Sequence, residues 1–163
     1  MDTAPRVSAS PLPRRAPAAS FAERDLGPPP TLDPSPMAQH GPALHAEFAA
    51  LWDRVPGVRG CVVAGIDGLL IAHDLGPDTQ PYDVATLAAA VMQIGRQSAM
   101  ALHHRPFRDS TVRTDSGSFT VYALSDSALL AVLGDAGLEP DRLHPHARPV
   151  VERLARLLRG YPT

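Results

Sequence analysis

PYDVATLAAAVMQIGRQSAMALHH, residues 81–104, reads as one long helix in which nearly every position is apolar or small. At about 100° per residue, Val84, Leu87, Ala88, Val91, Ile94, Gly95, Ser98 and Leu102 share one face, the spacing of a buried stripe. Ala85, Ala89, Met92 and Met100 carry the apolar surface round one flank, leaving Thr86, Gln93, Gln97 and His104 as a narrow polar strip. Between Asp83 and His103 the only formally charged side chain is Arg96. The helix is therefore expected to be buried twice, with its first face on its own sheet and its flank against a second copy of the chain.

Working outward, the segment before this helix holds two apolar runs, Val58 to Ile66 and Leu69 to Asp74, joined at Asp67-Gly68. Both turn positions of such a pair tolerate positive φ, so the runs read as a hairpin and Asp67 as a turn residue rather than an acid. Ahead of them Leu44, Phe48, Leu51, Trp52 and Val55 recur at helical spacing from Gly41-Pro42 to Pro56-Gly57. Trp52 is read here as a core residue. After the long helix, Phe107 to Thr114, Ser118 to Leu124 and Ala128 to Leu133 form a meander, turned at Asp115-Ser116-Gly117 and Ser125-Asp126-Ser127. FRDSTVRT is the most polar of the three, as suits an edge strand. Gly134 to Leu143 reads as a loop. A last helix is expected to become regular near Arg148, because Pro149 is awkward inside a helix, and to run to about Arg159. The order helix, two strands, long helix, three strands, helix specifies an α+β layer structure on a five-stranded antiparallel sheet.

Residues 1 to 40 contain nine prolines among Ala, Ser and scattered charges. Such a segment buries too little apolar surface to offset chain entropy and reads as a disordered proline-rich tail. The folded domain is expected over 41–160, with 161–163 as the chain end.

Composition narrows the function. The formal net charge of −2 over 163 residues argues against a general nucleic-acid or membrane-surface binder. No apolar run approaches the roughly 20 residues of a membrane span, and the prolines and arginines near the start break up any signal-peptide core, so a cytoplasmic protein is expected. All 15 basic residues are arginine, so a phosphate-cradling G-x-x-x-x-G-K-[ST] loop is impossible.

The stretch from about Leu44 to Arg159 resembles the Roadblock family, the class named for a dynein light chain, with many bacterial members. The resemblance rests on VPGVRGCVVAGIDGLLIAHDL, on the alanine-rich second helix and on SGSFTVYALSDSALLAVLG, in that order and spacing. It implies a sheet ordered 2-1-5-4-3, with the long helix on one face and the two outer helices on the other. It also implies a homodimer in which the long helices pack together and the third strands extend one sheet across both subunits. Members bind small Ras-like GTPases or act as scaffolds, and bacterial ones often work beside a GTPase and a sensor kinase. The family has no shared catalytic residue, so a non-enzymatic regulator without cofactor is the function implied.

The dimer contacts expected on this reading are Ala85, Ala89, Met92, Arg96 and Met100 from the helix with Ser110, Thr111 and Val112 from the polar strand. Other chemistry gives way to plainer accounts. His103 and His104 at a helix end, and His144 and His146 flanking Pro145, do not have the arrangement of a metal site. Cys61, within GCVVAG, reads as a small core residue rather than a nucleophile. Ser125 and Ser127 belong to a turn. Arg96 could serve in trans as an arginine finger, but a salt bridge or hydrogen bond on the helix flank is the simpler role. The alternative function is a sensory module of profilin-like type binding a small ligand between sheet and helix. Such a cavity needs convergent polar groups, and the expected core face offers only Ser98 and the gap at Gly95.

Overall fold

The computed structural model describes residues 36–159, with side chains from residue 41 onward. The tail expected before residue 36, and residues 160–163, lie outside the described residues. The elements are α1 (Pro36–Arg54), β1 (Val58–Gly65), β2 (Leu70–Leu75), α2 (Pro81–Ala101), β3 (Asp109–Thr114), β4 (Gly117–Ala123), β5 (Ala128–Asp135) and α3 (Pro140–Leu158). The strands form one antiparallel sheet in the order β2-β1-β5-β4-β3, as the resemblance implied.

Local chemistry accounts for the turns. Gly68 sits at φ +83°, and the Asp67 carboxylate accepts a hydrogen bond from the Leu69 amide at 3.0 Å, so Asp67 serves the hairpin as expected. The Ser125 hydroxyl accepts from the amides of Ser127 and Ala128 and closes the turn between β4 and β5. Gly57 at φ +97° ends α1 and offers its carbonyl to the Asp135 amide at 2.8 Å, joining the entry of β1 to the end of β5. His103, at φ 54°, takes the left-handed position that closes α2, and the His104 amide reaches back to the Ala99 carbonyl. The long helix therefore ends at Ala101, short of the His104 that the sequence pattern proposed.

Cys61 to Ala64 and Ala128 to Val132 are buried on both sides of the sheet, the fate expected of near-continuous apolar strands at its centre. On one face Leu44, Phe48, Leu51 and Val55 of α1, with Leu143, Ala147, Val150 and Leu154 of α3, pack on Cys61, Val63, Tyr122, Leu130 and Val132. On the other, Val84, Ala85, Ala88, Ala89 and Met92 of α2 pack on Val62, Ala64, Val121, Leu129 and Ala131.

Four expectations about the outer helices and strands need correction. α1 begins at Pro36 rather than Gly41, and Pro42 lies within it. α3 begins at Pro140 rather than near Arg148 and holds both Pro145 and Pro149. Helical spacing places these two prolines opposite the buried stripe of Leu143, Ala147, Val150 and Leu154. The carbonyls of Asp141 and Pro145, which lose their helical partners, thus face water, where the loss costs least. Trp52 is 37% exposed rather than core, because Leu44, Phe48, Leu51 and Val55 already fill the inward stripe and Trp52 falls to its side. β2, whose LLIA run reads like VVAGI as a strand covered on both faces, is instead half-buried, because it forms the second edge of the sheet.

Candidate interaction surface of the long helix and the edge strand

The sheet is covered by two helices on one face and by one on the other, so α2 alone must shield the second face. It approaches through its smallest residues. Ala85 and Ala88 are fully buried, Ala89 nearly so, and Met92 fills the space left between them. The larger side chains point away: Leu87 is 60% exposed, Ile94 64% and Leu102 61%, with Val91 half-buried between them. Large apolar side chains set this far into water, in a row along one helix, form the kind of patch that marks an interaction surface.

The assignment of faces from sequence holds for Val84 and Ala88, which are buried on the sheet, and is reversed for the larger residues. Ala85, Ala89 and Met92, expected at a subunit contact, lie on the protein's own sheet. Leu87, Ile94 and Leu102, expected in the core, are the free surface. Ser98 also sits outside, its hydroxyl donating to the Ile94 carbonyl at 2.8 Å. Gly95 does face inward, and a methyl group there would collide with the ring of Phe107. A signal for the correct face was present in side-chain size: a helix settles closest where its residues are smallest.

The other expected contacts divide. Arg96 donates from both terminal nitrogens to the carbonyls of Asp126 and Ser125, each at 3.0 Å, so it ties α2 to the β4–β5 turn of its own chain. Met100 is exposed, but on a different flank from Leu87, beside a hollow of about 710 Å³ that Phe107 and Leu124 also line. Within β3, alternation puts Ser110 and Val112 on the α2 side, opposite Val121 and Phe119, and Thr111 on the α3 side, where its hydroxyl meets that of Thr120 at 2.9 Å. Val112 is 46% exposed. Arg113 forms a two-pronged pair with Glu139, at 2.8 and 3.0 Å, which holds the carboxyl of Glu139 below its usual range. Among the described residues no strand pairs with the outer edge of β3. The helix that carries the apolar row touches the strand that has the open edge.

The remaining chemistry is structural. The Cys61 thiol is pushed up to about 12, mainly by burial and further by Asp74, which leaves it a poor nucleophile at neutral pH. His144 is engaged by the Tyr122 hydroxyl. Among the described residues no group of three or more His, Cys, Asp or Glu side chains is gathered as metal ligands would be.

The description of the Roadblock/LC7 domain matches residues 46–134. The chain belongs to the Roadblock/LC7 family. Its fold is that of the Roadblock/LC7 domain from Streptomyces avermitilis, with 25% identity, a TM-score of 0.62, and 68% of this chain and 92% of that one covered. It is also that of the gliding protein MglB from Thermus thermophilus, at 20% identity and a TM-score of 0.65 over 77% of this chain and 93% of that one. MglB of Myxococcus xanthus gives a TM-score of 0.66 at 12% identity, with 73% and 97% covered. No curated protein matches the sequence. For this Roadblock domain, no helix among the described residues is long and apolar enough to cross a membrane.

Proposed function

We propose that the protein is a non-enzymatic, homodimeric regulator or scaffold that binds a small Ras-like GTPase in a bacterial signalling complex in the cytoplasm. The observation that carries the dimer is that α2, with Leu87, Ile94 and Leu102 exposed, touches β3, whose outer edge is open and whose Val112 is exposed. A second copy related by a two-fold axis would cover the helix row with its own and continue the sheet through β3. A contact of this kind buries on the order of 1,600 Å² or more. The GTPase partner follows from what the Roadblock resemblance implies, and membership of a family of adaptors and regulators supports it.

The test is the solution mass of the full chain by light scattering, alone and with a Ras-like GTPase loaded with GDP or a GTP analogue. The expected result is a dimer that gains mass with one nucleotide state, and a monomer for Ile94→Arg. Dimers unaffected by Ile94→Arg would remove the α2 row from the interface. The small-ligand alternative finds less support, since Ser98 points outward and the ring of Phe107 occupies the space at Gly95.

A further inference from the structure

β3 is held to the sheet on one side only, by its ladder with β4. It also touches α2 and is tied by polar side chains to the start of α3, through the Arg113–Glu139 pair already described and a chain of three side chains centred on His144. The Tyr122 hydroxyl lies 2.9 Å from His144 Nδ1, and His144 Nε2 lies 3.9 Å from a carboxylate oxygen of Asp109. Asp109 and Tyr122 are directly opposite one another in the β3–β4 ladder, so His144 reaches from α3 over both. Asp109 is also the first residue of β3, where the strand leaves the loop.

The protonation logic follows from the partners. Tyr122 is buried, and burial together with the Asp109 carboxylate raises its phenol, against a smaller opposing effect of Arg148 one turn along α3. It keeps its proton near neutrality and serves as donor to a neutral imidazole at Nδ1. The remaining N–H of His144 is then at Nε2, facing Asp109 across a gap too long for a hydrogen bond. An imidazolium facing the same carboxylate gains charge attraction, which fades far more slowly with distance. The Tyr122 oxygen can turn to accept from Nδ1, so protonation leaves no orphaned group. Asp109 from β3 and Tyr122 from β4 face this ring, and Arg148 acts on the same phenol.

We propose that His144 is a proton-dependent latch on the edge strand: charged, it binds Asp109 and fastens the start of β3 to α3, and neutral, it lets that attachment go. If a second copy pairs along β3, which rests on the function proposed above, acidification then favours that pairing.

The test is hydrogen exchange at the β3 amides of the full chain at pH 5.5 and 7.5 in 0.15 M salt, each rate divided by the intrinsic rate at that pH. Measuring in an Ile94→Arg background removes any contribution from association. Protection of Asp109 to Thr114 is expected to be about threefold higher at the lower pH, the scale of a partly exposed ion pair. His144→Gln, which keeps an acceptor for Tyr122, should abolish the pH response, and Asp109→Asn should do the same if the glutamine variant does not fold. A response equal in these variants, or none in the parent, would overturn the latch. A dilution series of the chain without Ile94→Arg separates the two readings. A responsive β3 in a chain that is monomeric at both pH values sinks the dimer and spares the latch, and a dimer with an unresponsive β3 does the reverse.

Discussion

The two faces of the sheet are built on opposite plans. The α1/α3 face is closed with bulk: Phe48, Leu44, Leu51, Leu143 and Leu154 are fully buried, and Arg153 seals the seam between the helices by gripping Glu47 at 2.8 Å. The α2 face is closed by three alanines with Val84 and Met92, while Leu87, Ile94 and Leu102 are turned outward. One face has spent its hydrophobic surface on folding; the other has kept some of it in reserve. Hydrophobicity alone does not tell core from contact when a helix is apolar all round, and side-chain volume does.

The contrast predicts a graded response to mutation. Phe48→Ala should be the most damaging, with a loss of about 3–5 kcal/mol in urea unfolding, because neither flanking helix can collapse into the hole. Gly95→Ala should cost about 1–3 kcal/mol despite the better helix propensity of alanine, because the ring of Phe107 must move aside. A gain in stability would show that ring to be free to swing away. The buried thiol adds a pH dependence on the crowded face. Its folded value of about 12 lies above the roughly 8.5 of an unfolded cysteine. The stabilisation from keeping it protonated is therefore complete below about pH 8.5 and lost as pH climbs toward 12. Cys61→Ala should flatten the first part of that decline, leaving the part due to Tyr122. Ile94→Arg should have the smallest effect, within about 0.5 kcal/mol once the chain is monomeric, as expected for a surface position. A larger loss would mean that the α2 row also supports the fold of the single chain.

Much of this architecture was legible from residues. Asp67-Gly68, the Ser125 turn and the alternating and helical periods marked every element in order, because turn geometry depends on particular side chains. The start of α3 was not, because Pro145 and Pro149 forbid a helix only where their missing bonds would be buried. The surface was harder still. In α2 no charged face served as a reference, so the same periodicity fitted two orientations, and the inward one was fixed by how closely a sheet lined with valine and leucine lets a helix approach. The tie from His144 to Asp109 was invisible because its members lie 35 residues apart on elements whose meeting depends on the whole sheet.

The strand order has a kinetic meaning as well. β1 and β2 are neighbours in the chain, as are β3, β4 and β5, and each group can pair through short turns. The ladder that unites them joins Cys61 to Val132 and Val63 to Leu130, and it must close a loop that contains all of α2. Loop closure of this length carries its entropic cost before the central strands return any stability. Refolding is thus expected to be limited by the docking of two hairpin units formed early. During refolding the amides of the β1–β2 and β3–β4 ladders should gain protection from hydrogen exchange before those that join β1 to β5.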